Sequence, residues 1–230
     1  MTETLVLADA DAVAREAARA VAAEARAAVA SRGRFILAFS GGRTPWQMLR
    51  ALADEAVPWS DVHVFQVDER IAPAGDPERN FTQLRESLLD RAALPPQQIY
   101  AMPVEEADLD AAASRYAITL ERVAGVPPVL DLVHLGLGAD GHTASLVPGD
   151  AVLDVSDRDV AITGVYMDRR RMTLTYPILD RARRILWLVT GADKAAMLPR
   201  LLAADPSIPA GRVNPARALV LADRAAAGHA

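Results

Sequence analysis

Four times along this chain an apolar run stops abruptly in glycine or charge, and polar side chains follow. The endings are Ser40 to Thr44, Asp68 to Arg70, Asp140 to His142, and Gly191 to Lys194. Between and around the runs lie segments with helical periodicity. From Asp9 to Arg32, for example, Val13, Ala17, Val21 and Ala25 recur on one face, with Asp9 or Asp11 able to cap the start and Gly33 the end. Parallel strands joined by helices share one C-terminal edge, so such endings are carried to a common rim. The order is therefore α/β: a mainly parallel sheet with helices on both faces, a Rossmann-like three-layer α/β/α arrangement.

Further strands are expected at Thr4 to Ala8, Arg34 to Phe39, Val62 to Val67, Gln97 to Met102, Val160 to Val165, Arg184 to Thr190 and Ala218 to Ala222, with another opening at Leu132. Helices are expected over Trp46 to Glu55, Pro77 to Leu89 and Asp108 to Val123, from Pro177, and from Lys194 to about Ala203. No repeat, low-complexity linker or charge block marks a boundary, so residues 1–230 are expected to form one domain. A chain of this length buries roughly 70–75% of its unfolded surface, enough for a substantial core. A net charge of −5 without a long basic run argues against nucleic acid as partner. No apolar run approaches the ~18 residues of a membrane span, and no leader pattern opens the chain. The absence of cysteine removes disulfides, thiolate metal sites and cysteine nucleophiles, and fits a cytoplasmic protein.

The most informative stretch runs from Leu132 through Gly136-Leu-Gly-Ala-Asp-Gly-His-Thr-Ala-Ser-Leu-Val-Pro-Gly149. A buried strand dissolving into glycines exposes backbone N–H groups, and Asp140 and His142 on that turn read either as chemistry or as a cap and a loop decoration. Gly136, Gly138 and Gly141 also spell the dinucleotide-binding G-x-G-x-x-G. That fold needs an uninterrupted helix after the third glycine, which Pro148 forbids. Ser40-Gly41-Gly42-Arg43-Thr44-Pro45 joins a strand to a helix start, with Pro45 suited to a first helical position, and makes an anion site. Asp68, Glu69 and Arg70 lie at a strand end and read either as solvated surface or as a place where the Asp and the Arg orient a substrate and meet negative charge. His63 and His134 fall mid-strand and read as structural, and His229 lies in an alanine-rich tail. Arg169, Arg170 and Arg171 form a basic triplet from which one side chain can serve an oxyanion. Lys194 is the lone lysine among 25 Lys and Arg residues, which points to a use for a compact ammonium.

Taken with Asn80 and Arg171-Met-Thr-Leu-Thr175, these motifs resemble the 6-phosphogluconolactonase family, part of a larger group that includes glucosamine-6-phosphate deaminases. The resemblance covers nearly the whole chain. It implies hydrolysis of 6-phospho-D-glucono-1,5-lactone in the oxidative pentose phosphate route, with no metal and no organic cofactor, by a monomer or weak homodimer. It makes His142 the general base, a role suited to an imidazole near neutral pH. Asp140 would orient His142 or stabilise its imidazolium, and Arg70 would face the developing oxyanion or the sugar with Asp68 nearby. Ser40, Gly41, Gly42, Arg43 and Thr44, with Arg171 and Lys194, would hold the 6-phosphate.

Resemblance to the deaminases would instead require a glutamate at Val147 and a tyrosine at Arg70. A sugar-phosphate sensor could discard the base, whereas Asp140 and His142 are both present. Three departures from the lactonase pattern stand out: Val147 in place of phenylalanine, Gln66 in place of an aromatic residue, and Tyr166-Met167-Asp168-Arg169-Arg170 in place of a proline-rich lead. The last leaves Arg170 and Arg171 as competitors for the phosphate. Arg171, next to Met172, is the choice.

Overall fold

A computed structural model describes residues 3–228, so His229 lies outside the described residues. Strand β1 (Glu3–Leu7) leads into α1 (Ala10–Arg32). The Asp9 carboxylate accepts from the Ala12 N–H at 2.8 Å to start this helix, and Gly33 closes it at φ 74°. Next come β2 (Phe35–Phe39), α2 (Arg43–Ala53) and β3 (Val62–Gln66). After them follow β4 (Asp68–Arg70), α3 (Asn80–Leu84, extended by a π turn to Leu89), β5 (Ile99–Tyr100) and α4 (Leu109–Ala124). The second half holds β6 (Leu132–Gly136), β7 (Val160–Ile162), β8 (Arg171–Leu174), α5 (Tyr176–Arg181), β9 (Ile185–Val189), α6 (Leu198–Leu202) and β10 (Ala218–Asp223).

Seven strands form one all-parallel sheet in the order β1-β10-β9-β6-β2-β3-β5. The inner strands β2 and β9 are apolar on both sides because both sides are covered, whereas the edge strand β1 is largely exposed. In β2, Phe35, Leu37 and Phe39 enter one core with α1 and α2, while Ile36 and Ala38 enter the other with α4. In β9 the same alternation sends Leu186 and Leu188 one way and Ile185, Trp187 and Val189 the other. After β2 the chain builds outward through β3 and β5; from β6 it builds the opposite way through β9 and β10. The C-terminal ends of β2 and β6 therefore flank a topological switch point, where open α/β sheets form a crevice.

The expected three-layer arrangement is present, with local differences. Pro45 occupies the third helical position rather than the first, where its missing N–H still costs no intrahelical bond. The strands expected at Gln97 to Met102 and Val160 to Val165 shorten to Ile99–Tyr100 and Val160–Ile162. Lys194 lies in a short 3-10 turn, Ala192–Lys194, ahead of α6 rather than at its start. A second, antiparallel sheet, β4-β8-β7, had no counterpart in the sequence reading. Of its strands only β7 was expected; β4 and β8 are three and four residues long, too short for periodicity to register.

Candidate active site

At the end of β6 the chain folds into a tight turn. The Gly138 N–H donates to the His142 carbonyl at 2.8 Å, and the Gly141 N–H to the Gly138 carbonyl at 3.0 Å. No helix follows; Thr143 and Leu146 form a β-bridge instead, the geometry Pro148 foretold. Asp140 Oδ1 accepts the His142 backbone N–H at 3.1 Å and lies 2.6 Å from Nδ1 of the same residue. Burial pushes the Asp140 carboxyl up, but the bonds from His142 and from the Tyr166 hydroxyl outweigh it and hold the group below its ordinary range. An ionised Asp140 fixes the proton of His142 on Nδ1 and leaves Nε2 as an acceptor. The approach is possible only because residue 138 has no side chain. A Cβ there would fall 2.1 Å from His142 Nδ1.

The small sheet supplies the neighbouring wall. Alternation along β4 puts Asp68 and Arg70 on one face and Glu69 on the other. In register across from them stand Thr173, Arg171 and Met172 respectively. Asp68 is buried, and its two oxygens accept from Ser40 Oγ at 3.0 Å and Ser145 Oγ at 2.7 Å, tying the ends of β2 and β6 to β4. Arg70 Nη1 donates to the Glu78 carbonyl at 2.5 Å and to Asn80 Oδ1 at 3.1 Å. Arg171, opposite Arg70, is only 6% exposed, and its Nε has no hydrogen-bond partner among the described residues. Burial depresses its guanidinium, with the Asp68 charge pulling the other way. A buried arginine nitrogen without an acceptor marks a place for an anion. Arg170, in contrast, is exposed and donates through Nε to the Thr163 carbonyl at 3.2 Å.

The Ser40 to Thr44 turn sits at the other side of the switch point. Both Ser40 donors turn inward, Oγ to Asp68 and the backbone N–H to His134 Nδ1 at 3.3 Å. Gly41 packs against Asn80 so closely that a Cβ would meet Oδ1 at 2.0 Å. Gly42 and Arg43 are exposed, whereas Thr44 is buried and shares a 2.6 Å hydrogen bond with Thr190 at the end of β9. The Lys194 ammonium, beyond that strand, pairs with Asp193 at 2.9 Å, and Arg43 adds to the downward pull of Lys194 on the Asp193 carboxyl. Hydrogen bonds thus join Ser40 to Asp68 and Thr44 to Thr190, and the Tyr166 ring lies against both His142 and Arg171.

His63 and His134 behave as structural residues. His63 Nδ1 meets the Tyr100 hydroxyl at 3.1 Å. His134 is fully buried and burial drives it down to about 3, so it stays neutral behind Ser40. Two residues take parts that the sequence did not assign them. Glu69, wholly buried, gathers donors from the start of α3, and Tyr166 contacts Asp140, His142 and Arg171. For Glu69 the available signal was strand alternation beside two polar neighbours; for Tyr166 it was an aromatic residue just before the arginine triplet.

The family profile described as glucosamine-6-phosphate isomerases/6-phosphogluconolactonase matches residues 8–222. The chain belongs to that family. Among its relatives, the 6-phosphogluconolactonase of Synechocystis sp. is 39% identical over 191 residues, 80% of this chain and 79% of that one. The 6-phosphogluconolactonase of Mycobacterium tuberculosis is 38% identical over 236 residues and covers 96% of each chain. The crystal structure of 6-phosphogluconolactonase from Thermotoga maritima matches with a TM-score of 0.86 at 25% identity, across 97% of this chain and 99% of that one. Among the described residues, no helix is long and apolar enough to cross a membrane.

Proposed function

We propose that this protein hydrolyses 6-phospho-D-glucono-1,5-lactone to 6-phospho-D-gluconate in the oxidative pentose phosphate pathway, without metal or organic cofactor, in the cytoplasm and as a monomer or weak homodimer. The observation that carries the reading is an oriented Asp140–His142 pair beside a buried arginine whose Nε lacks an acceptor. His142 Nε2 takes a proton from water as the water oxygen attacks C1 of the lactone. The carbonyl oxygen becomes an oxyanion, which Arg70 meets. Collapse breaks the bond from C1 to the ring oxygen, and the imidazolium returns its proton to that leaving oxygen. Gly41, Gly42, Arg43 and Thr44, with Arg171 and Lys194, hold the 6-phosphate, while Ser40 anchors the turn from within. Such positioning supplies several kcal/mol of the barrier reduction.

Val147 is buried and has no carboxylate to offer, in the place where a deaminase would need one. An assay coupled to 6-phosphogluconate oxidation, with freshly generated lactone and the enzyme-free rate subtracted, is expected to show hydrolysis. Glucosamine 6-phosphate run in parallel is expected to give no ammonia, and the reverse outcome would sink the lactonase reading. Lys194→Ala is expected to raise KM by about tenfold or more, the worth of one charged hydrogen bond, with kcat little changed. An unchanged KM would remove Lys194 from the phosphate site. Gly138→Ala is expected to lower kcat by about 10²-fold, because the new methyl displaces the His142 ring. A variant with parental kcat and an unaltered circular dichroism spectrum would contradict that steric account.

A further inference from the structure

Residues Tyr166 to Arg169 close a tight hairpin. The Tyr166 N–H donates to the Arg169 carbonyl at 3.0 Å and the reverse bond is 3.3 Å. Its two central residues, Met167 and Asp168, stand at φ 49° and 62°. Two successive left-handed residues define a type I′ turn, normally given to glycine or asparagine, and each non-glycine residue there costs roughly 1 kcal/mol. Local strain of this kind persists where surrounding contacts over-determine it. On the far side of the hairpin Arg169 pairs with Glu78 at 2.8 Å and with Asp76 at 3.4 Å, which tethers it to the loop after β4.

What the hairpin delivers is one phenol. The Tyr166 hydroxyl donates to Asp140 Oδ2 at 3.1 Å, the oxygen that His142 does not use. Its ring meets the His142 ring edge-on, with centroids 5.7 Å apart and planes inclined at 64°. The Arg171 guanidinium carbon lies 5.0 Å from the same ring's centroid. One side chain therefore touches the orienting carboxylate, the imidazole and the buried cation together. We propose that Tyr166 is a positioning residue: its hydroxyl divides the Asp140 carboxylate between two donors, and its ring keeps His142 and Arg171 at a set separation. The kinetic half of this proposal rests on the lactonase reading; the geometric half does not.

The charged and titratable groups around the His142 ring are Asp140 on its own turn, Tyr166 on the hairpin and Arg171 on β8 behind it. Removing the phenolic donor leaves Asp140 to serve His142 alone, which favours the protonated imidazole. Ring NMR signals of His142, assigned by their loss in His142→Gln, are therefore expected to change at a higher pH in Tyr166→Phe than in the parent. The acidic limb of the kcat/KM profile should move the same way. In Tyr166→Phe, kcat at neutral pH should fall about threefold with KM within twofold, because the ring remains. In Tyr166→Ala, KM should also rise, by about fivefold, as Arg171 loses its aromatic face. A Tyr166→Phe ring titration identical to the parent's would overturn the proposal whatever the substrate. A shifted titration in a protein that hydrolyses no lactone would uphold the positioning role and overturn the lactonase reading instead.

Discussion

His142→Ala is expected to lower kcat/KM for lactone hydrolysis by about 10²–10⁴-fold, the usual worth of a positioned general base. The loss should lie in kcat. Among the described residues the imidazole's hydrogen-bond partner is Asp140, not one of the proposed phosphate-holding groups. Affinity for the product 6-phosphogluconate, read by calorimetry, should therefore stay within a few-fold. Stability should change little as well, since the side chain is 27% exposed and its one strong partner, Asp140, is more exposed still at 39%. Asp140 loses its Nδ1 partner but keeps the backbone N–H and the Tyr166 hydroxyl. Turnover near that of the parent, after subtraction of spontaneous hydrolysis, would refute the role. Lost product binding would instead make His142 a ligand of the sugar.

Glu69→Gln is expected to destabilise the fold by about 3–5 kcal/mol, the cost of breaking one side of a buried ion pair. Five donors converge on this wholly buried carboxylate. Oε1 accepts from the backbone N–H groups of Arg70 and Asn80, both at 2.8 Å. Oε2 accepts from the Phe81 N–H at 2.8 Å, Gln66 Nε2 at 2.9 Å and Arg79 Nε at 3.5 Å. An amide keeps one acceptor and turns the other into a donor facing donors. Arg79, itself buried, would keep only Glu105 as a charged partner. For a chain of this size the loss corresponds to a fall in Tm on the order of 10 °C. Activity should fall with it, because Asn80 supports both Arg70 and the Asp68 backbone. Urea denaturation showing less than about 1 kcal/mol of change would mean the five donors find other acceptors.

The helices and parallel strands were legible because their signals are local. Asp9, Val13, Ala17 and Gly33 announce α1 by cap and period, and the β2 and β9 runs are apolar on both faces because both are covered. The Ser40–Thr44 turn and the Asp140–His142 turn were legible for the same reason, since each sits at the end of a recognisable strand. The small sheet was not. β4 and β8 pair across about a hundred residues of chain, and nothing within three residues of Asp68 or Arg171 states that they face each other. Once they pair, alternation sends Glu69 inward, sets Arg171 rather than Arg170 beside Arg70, and brings the Tyr166 hairpin against His142.

Residue order alone sufficed for the kinds of group present: an imidazole beside a carboxylate, a glycine turn at a helix start, arginines and one lysine at strand ends. It also sufficed for the parallel sheet that gathers them, because periodicity and turn chemistry are written in short windows. Folding in three dimensions settled which of those groups meet and which become scaffold. Ser40 and Asp68 became a brace, Glu69 a buried hub, and Tyr166 a neighbour of His142. Those outcomes depend on contacts between distant segments, whose register is chosen by the packing of the whole core rather than by any one stretch of chain.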